Sequence, residues 1–355
     1  MDSISQAVLG ASVAGAVAGR QCNVKVLLAG AALGTLPDLD VLIDYGSDIA
    51  NVVKHRGFSH SLFVLTLFSW SLTALLKRFS QFEAWGFMRL GLLIWLSLIT
   101  HPLLDSFTTY GTQLFWPLSV PSVALNSVFI IDPLYTLPLI IGLCFAWRRR
   151  AVMASMAKAC RIGLFVSCAY LLWSLAAQQM IMSRVQAQLV ATPLENSRVL
   201  VSASPFNTLL WRVVVMGEEH YWEGTASLLD SHAQIDFSVH PIGRWPFDVE
   251  PQSLRALRRF THDYLRFEVR EQQLLAVDLR LGFVNYHPFS FVMATQNEQG
   301  AWQALEQPYQ IARNEMGPRP ISVVQLWQRL WGDPLALHAK SPAFDSQDAA
   351  PFPVQ

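Results

Sequence analysis

The three histidines in the first half of the chain lie in two short motifs, and a third, acidic motif precedes them. The motifs are Pro37-Asp38-Leu39-Asp40, His55-Arg56-Gly57-Phe58-Ser59-His60 and His101-Pro102-Leu103-Leu104-Asp105. Each lies at the end of a strongly apolar segment. Zinc is bound by deprotonated carboxylates and neutral imidazoles that converge from separate elements. The residue types therefore predict a metal site assembled from all three motifs.

The spacing within two of the motifs predicts that both polar side chains of each motif point the same way. His101 and Asp105 are four residues apart, which places both side chains on one face of a helix. Asp38 and Asp40 are two residues apart, and an extended segment would direct both carboxylates to one side. Alternatives remain for each pair: an interfacial histidine with a polar helix end, and an Asp-rich turn.

The remaining motif needs a reversal of the chain. His55 and His60 are five residues apart, so no regular helix presents them together. Gly57 permits the reversal, and Ser59 is positioned to cap a helix that begins at His60. Arg56 is a candidate catalytic residue that would bind a phosphate, or it forms a salt bridge. An ordinary polar loop is the alternative for the whole motif.

Asp132 is a further acidic residue that, like the motifs, is associated with an apolar segment. It lies within an apolar segment at about 128–147 and is followed by Pro133. A carboxylate near a bilayer edge needs a partner. It would be a metal ligand, a partner of a ligand, or a helix cap.

Composition indicates a membrane protein with a soluble part. The chain has 355 residues, of which 52% are hydrophobic and 15% charged, and its mean hydropathy is +0.30. Its formal net charge is zero, so its composition gives no indication of a nucleic-acid-binding surface. The four cysteines all lie in or beside apolar stretches, which argues against a disulfide framework and against a cysteine-based zinc site.

The apolar segments predict about six membrane segments in residues 1–184. A tight hairpin of two short helices comes first, because small residues recur every fourth position at Ala11, Gly15 and Gly19 and again at Gly30 and Gly34. Four more segments follow at about 61–76, 86–104, 128–147 and 162–182. Lysines and arginines cluster at about 20–25, 77–89 and 148–161, which marks these connections as cytoplasmic. All three motifs, and everything after about residue 185, are then predicted to be extracytoplasmic.

The second half predicts one soluble α+β domain at 196–335. Residues 209–215 are typical of a buried strand, and 221–229 of its hairpin partner. Residues 253–265 have helical periodicity, and strand-like runs follow at 266–270, 274–280 and 289–295. Residues 340–355 predict a disordered tail. The histidines of this half have no ligand-like spacing.

The three motifs resemble those of the membrane-bound metal-dependent hydrolases, also described as YdjM-like, LexA-binding inner-membrane-associated hydrolases. The resemblance covers roughly residues 1–180 and extends through Ile131-Asp132-Pro133. It implies a protein of the bacterial inner membrane. The family's ligand positions correspond here to Asp38, Asp40, His55, His60, His101 and Asp105. Many relatives have a histidine near the N-terminus, where this chain has Gln6.

Two functions follow as hypotheses. The first is metal-dependent hydrolysis at the outer membrane face, with zinc or manganese as the ion and a lipid or lipid-linked ester as the substrate. Asp38 or Asp40 would act as a general base, and Arg56 would bind a phosphate. The second is a non-catalytic membrane protein with a structural metal and an outer domain that binds a partner protein. A regulator of a cytoplasmic transcription factor is disfavoured, because only short basic loops would face the cytoplasm.

Overall fold

The computed structural model describes residues 1–282, 286–312 and 322–333. The chain divides into two compact units. The first comprises Met1–Ile43, Lys54–Leu175 and Pro205–Asn207, and the second comprises Asp44–Val53, Ala176–Ser204 and the residues from Thr208 onward. The predicted tail at 340–355 and the last residues of the predicted domain lie outside the described residues.

The first unit is helical. Polar residues begin several of its helices by accepting backbone N–H groups: Asp2, Asn23, Ser61 and Asp132 are N-caps. The helices of the chain up to the second unit's sheets are α1 (Ser3–Ala18), α2 (Val24–Thr35), α3 (Asp48–Lys54), α4 (Leu62–Leu76), α5 (Phe87–Asp105), α6 (Pro133–Arg148) and α7 (Met153–Leu189).

Fewer helices are long enough to cross a membrane than the sequence predicted. α5 and α7 meet the length and composition of a span, and a third span results if Asp48–His60 and α4, bent by 46°, are taken together. The structure therefore supports two or three spans among the described residues, and not six. α1, α2 and α6 have 16, 12 and 16 residues. A straight helix needs about 20 residues to cross the hydrocarbon core, so these three are short.

The predicted tight hairpin of α1 and α2 is present, and glycine makes it possible. A Cβ atom at Gly30 would lie 2.4 Å from the Cβ of Ala14, and one at Gly34 would lie 2.6 Å from the carbonyl oxygen of Gln6. On α1, Gly10 and Ala14 face these glycines, and the predicted Gly15 also approaches α2, since a Cβ there would lie 2.7 Å from Leu27 Cδ2.

The second unit contains two antiparallel four-stranded sheets, in the orders β1-β2-β3-β4 and β5-β6-β7-β8. The predicted hairpin is confirmed, since β2 pairs with β3. The helix predicted at 253–265 is present but ends at Thr261. The remaining elements are β1 (Arg198–Ala203), β2 (Leu210–Met216), β3 (His220–Ser227), β4 (Phe237–Pro241), α8 (Gln252–Thr261), β5 (Leu265–Arg270), β6 (Gln273–Asp278), β7 (Ser290–Gln296), β8 (Trp302–Gln310) and α9 (Val323–Leu330).

A buried arginine links the two sheets. Arg212 of β2 donates to Glu223 Oε1 at 2.6 Å and to the carbonyl oxygen of Leu279, just after β6, also at 2.6 Å. Burial raises the pKa of Glu223, but Arg212 beside it lowers the value to about 2. Arg212 thus pairs with an ionised Glu223 inside the first sheet, and its hydrogen bond to the Leu279 carbonyl oxygen links that sheet to the end of β6 in the second.

We expect Gly30→Ala to destabilise the helical unit by about 1–3 kcal/mol, because the added methyl group would overlap Ala14 and force α1 and α2 apart. Thermal unfolding of the detergent-solubilised protein measures this effect. Gly86→Ala is the control, since a Cβ there meets open space. Equal melting temperatures for the two variants would contradict the close helix contact.

Candidate metal centre

Four side chains of the helical unit each bring one ligand atom to a common point. They are Asp38, His60, His101 and Asp105, and these atoms all lie within 4.8 Å of one another. The Nε2 atoms of the two histidines are 3.1 Å apart. Asp38 Oδ1 lies 3.5 Å and 3.2 Å from the Nε2 atoms of His60 and His101, and Asp105 Oδ2 lies 3.4 Å and 3.6 Å from them. With bonds of about 2.0–2.1 Å, the ligand atoms of a tetrahedral zinc lie about 3.3–3.4 Å apart, which matches this spacing.

Three separate elements supply these residues. Asp38 lies in a 3-10 helix at Leu36–Leu42 that follows α2, and His60 ends a 3-10 turn at Phe58–His60 that precedes α4. His101 and Asp105 lie on the last turn of α5, as their spacing predicted. The side chains of the two histidines and Asp105 are fully buried, whereas that of Asp38 is 25% exposed. The cluster is therefore open to its surroundings on the Asp38 side.

Hydrogen bonds fix which ring nitrogens carry protons. His101 Nδ1 lies 2.6 Å from the carbonyl oxygen of Gly34, which can only accept, so this nitrogen is the donor. Ser59 donates its hydroxyl proton to Asp40 Oδ2 at 2.7 Å. Its oxygen is then free to accept from His60 Nδ1, which lies 2.9 Å away. In the neutral state, both Nε2 atoms consequently direct lone pairs at the cluster.

The residues therefore fit a divalent cation. Two imidazole nitrogens and two carboxylate oxygens converge there. Asp105 Oδ2 is buried and, within the part of the chain that the structure describes, accepts no hydrogen bond, although the positive charge of Arg56 lies 3.1 Å away at Nε. A buried carboxylate oxygen whose hydrogen-bonding capacity is unused is costly. A cation at the centre of the four atoms would remove that cost and the repulsion between the lone pairs.

The other two predicted ligands, Asp40 and His55, lie outside this set of four atoms. His55 Nδ1 contacts Asp40 Oδ1 at 2.9 Å, and Asp40 Oδ2 also accepts the backbone N–H of Arg56 at 3.1 Å. Burial raises the pKa of Asp40, but the hydrogen bonds from His55 and Ser59 bring it below its usual value. The Asp38–Asp40 segment is a 3-10 helix rather than extended, and three residues per turn direct residues two apart to different sides. That geometry separates the two carboxylates.

Arg56 is committed to Asp105 in this structure. Its Nε lies 3.1 Å from Asp105 Oδ2, although the angle does not make a hydrogen bond, and its Nη1 donates to Thr108 Oγ1 at 3.2 Å. The guanidinium also lies over the ring of Tyr110. Arg56 has a φ of 61°, a strained value for a residue with a side chain. The salt bridge, one of the two predicted interpretations, is thus the arrangement observed.

Four further residues near the centre have roles that their sequence context did not reveal. Gln6 is buried and donates from Nε2 to Asp105 Oδ1 at 2.8 Å. Ser61, rather than Ser59, caps the helix of the motif, and Ser59 contacts His60 instead. The Gly34 carbonyl oxygen carries no recognisable sequence signal at all.

Asp132 has a structural role. It caps α6 by accepting the N–H groups of Leu134 and Tyr135, and it accepts the hydroxyl of Tyr170 at 2.8 Å. Of the three interpretations that the sequence left open, the helix cap is the one that its contacts match.

The fold and the cluster together describe a helical membrane protein with a His/Asp group suited to a metal ion. Residues 1–181, just over half of the chain, match the model of the YdjM inner membrane protein family. The chain belongs to this family, as its motifs indicated, and the inner membrane is its location.

Two relatives match part of the chain. The inner membrane protein YbcI of Escherichia coli (strain K12) is 43% identical over 96 residues, which are 26% of this chain and 52% of that protein. The uncharacterized protein YfhP of Bacillus subtilis (strain 168) is 32% identical over 108 residues, which are 30% of this chain and 32% of that protein. The matched regions thus span about half or less of these relatives. No solved structure matches the chain.

We expect His60→Ala and His101→Ala each to reduce bound zinc from about one equivalent to near zero, because each removes a nitrogen from a four-atom site. Elemental analysis of the purified protein measures the content. His232→Ala is the control, since His232 is exposed in the second unit. Equal loss from all three variants would indicate general misfolding, and retention by all three would contradict the site.

Proposed function

We propose that this protein is a metal-dependent hydrolase that acts at the extracytoplasmic face of the inner membrane. The observation that carries this proposal is the unequal burial of the four side chains that supply the ligand atoms. Catalytic zinc sites use three protein ligands and leave one position for water or substrate. His60, His101 and Asp105 are the three buried members here, and Asp38 is the one that faces the opening.

The division of labour follows from these positions. A divalent cation, when bound, would polarise the ester under attack and acidify a water molecule. His60 and His101 would hold the cation through Nε2, and Asp105 would supply negative charge. Asp38, being partly exposed, is the residue that can orient the attacking water and accept its proton at Oδ1. Asp40, which the sequence offered for the same role, has both oxygens engaged by the 55–60 loop.

A lipid or lipid-linked ester is the substrate class that the surroundings of Asp38 favour. The same 3-10 segment that directs Asp38 inward presents apolar side chains outward. Val41 and Leu42 are 72% and 80% exposed, and Leu39 and Ile43 are exposed as well. An apolar rim of this kind suits acyl chains at the bilayer surface better than it suits a soluble polar ester.

Arg56 has a supporting rather than a substrate-binding role in this proposal. Its guanidinium faces Asp105 and Thr108, so binding a phosphate would require it to leave a buried carboxylate. Truncating one partner of a buried charge pair costs about 3–5 kcal/mol. We therefore assign Arg56 to holding Asp105 in place and compensating its charge.

The second candidate is a structural metal in a non-catalytic protein. It is favoured by the number of ligand atoms, since four protein ligands around one ion make a closed structural site. In that case Asp38 would be a permanent ligand, and the second unit would carry the function by binding a partner. The two candidates therefore differ in what Asp38 does.

We expect Asp38→Asn to retain metal and melting temperature while hydrolysis falls about 10²–10⁴-fold, the usual contribution of a general base. The assay follows zinc content, thermal unfolding and cleavage of phosphoester and carboxylester lipids. Asp40→Asn is the matched comparison, and it should lower metal content because Asp40 orders the 55–60 loop. Parallel loss of metal and stability in Asp38→Asn, with no lipid cleaved by the parent protein, would replace the hydrolase with the structural candidate.

The extracytoplasmic placement of the motifs rests on the basic residues. α4 begins after the His60 turn and ends at Leu76, beside Lys77, and α5 begins near Arg89 and ends at Asp105. Each helix thus has a motif at one end and positive charge at the other, which marks the basic end as cytoplasmic. We propose a multi-pass topology with the second unit outside, which requires the 16-residue α6 to cross the membrane between α5 and α7 as well.

Cysteine labelling tests this topology. In a background where the exposed Cys144 and Cys168 are replaced by serine, Glu218→Cys should react with a membrane-impermeant thiol reagent in intact spheroplasts, and Arg149→Cys should react only after lysis. Both sites are exposed to solvent. The reverse labelling pattern would overturn the outer placement of the site as well as that of the second unit.

A further inference from the structure

We infer that Ser59 is a positioning residue of the metal centre, which fixes the ring of His60 and transmits the charge of Asp40 to it. This inference rests on the metal centre proposed above. It concerns a residue that the motif analysis treated only as a helix cap.

The proton positions leave one arrangement for the neutral ring. A carboxylate can only accept, so the 2.7 Å contact between Ser59 Oγ and Asp40 Oδ2 uses the hydroxyl proton of Ser59. Ser59 Oγ therefore cannot donate to His60 Nδ1, 2.9 Å away, and must accept from it. His60 Nδ1 carries the proton, and its Nε2 lone pair faces the cluster. Metal-binding histidines usually donate their second N–H in this way, which raises the basicity of the ligating nitrogen.

The other histidine of the site is fixed differently, which gives the arrangement its asymmetry. His101 Nδ1 donates to the backbone oxygen of Gly34, which no substitution of a side chain removes. The ring of His60 is instead held by the hydroxyl of Ser59, which Ser59→Ala removes. Asp40 Oδ2 lies 3.8 Å from His60 Nδ1, too far for a direct hydrogen bond, so the hydroxyl of Ser59 is the link between them.

Asp40 explains why this link is rigid. Its side chain is 1% exposed and holds three groups of one loop: the ring of His55, the backbone N–H of Arg56 and the hydroxyl of Ser59. The carboxylate that the sequence proposed as a ligand thus contacts the cluster only through Ser59 and the loop. Through Ser59 it would stabilise positive charge on the ring, and hence the bond that His60 would make to a cation.

The test compares Ser59→Ala, Ser59→Thr and Ser61→Ala in the full-length protein. Zinc affinity is measured by competition with a chelator, and the ligand-field absorption of the cobalt-loaded protein reports the ligand geometry. We expect Ser59→Ala to weaken zinc binding about 10–100-fold and to change the cobalt spectrum. Ser59→Thr retains a hydroxyl and should restore both. Ser61→Ala removes the α4 cap and should lower the melting temperature without changing affinity or spectrum.

Each result decides between the proposals. If the parent protein binds zinc and Ser59→Ala binds it equally well, the positioning role is overturned and the metal centre stands. If Ser59→Ala and Ser61→Ala lose affinity and stability alike, Ser59 is only a structural residue, and the inference is again overturned. If the parent binds neither zinc nor cobalt, the metal centre fails and the role of Ser59 fails with it.

Discussion

Electron pairs directed at one another inside a protein repel, and the repulsion grows as water is excluded. In this protein the constraint acts where Asp38, His60, His101 and Asp105 meet, since three of the four side chains are fully buried. A cation at their centre would turn the repulsion into attraction. The surrounding hydrogen bonds are arranged accordingly, because in the neutral rings the N–H groups lie at Nδ1, on the sides that face away from the cluster.

The helix packing serves the same centre. Gly30 and Gly34 let α1 approach α2 to backbone distance, and this approach brings Gln6 of α1 to the Asp105 carboxylate. The carbonyl oxygen of Gly34 itself receives the proton of His101. Glycine at that position therefore serves two purposes, since a side chain there would both separate the helices and displace the acceptor. In an apolar environment, such contacts are needed to satisfy each polar group internally.

The loop at 55–60 concentrates the strain of the site. Arg56 has a left-handed backbone, and its side chain and its neighbour's are held by Asp105 and Asp40. A conformation of this kind costs about 1–3 kcal/mol and persists only where the surroundings impose it. The strained backbone lowers the local stability of the loop, while the contacts of the loop fix the orientation of His60. Backbone strain of this kind is common at functional sites.

Residue types and spacing in the sequence determined the composition of the site, the membrane character of the first half and the β-hairpin of the second. These features depend on local chemistry: His101 and Asp105 share a helix face whatever lies around them. Tertiary structure alone decided which acids face the centre. Asp38 and Asp40 are the same residue type in the same short motif, so the sequence does not distinguish their roles. A 3-10 helix in place of an extended segment directs Asp38 toward His60 and His101 and Asp40 toward His55. Tertiary structure also decided the role of Ser59, because its hydrogen-bond acceptor, Asp40, lies 19 residues away in the chain. It likewise decided the number of long helices, because where a helix ends depends on the residues packed around it.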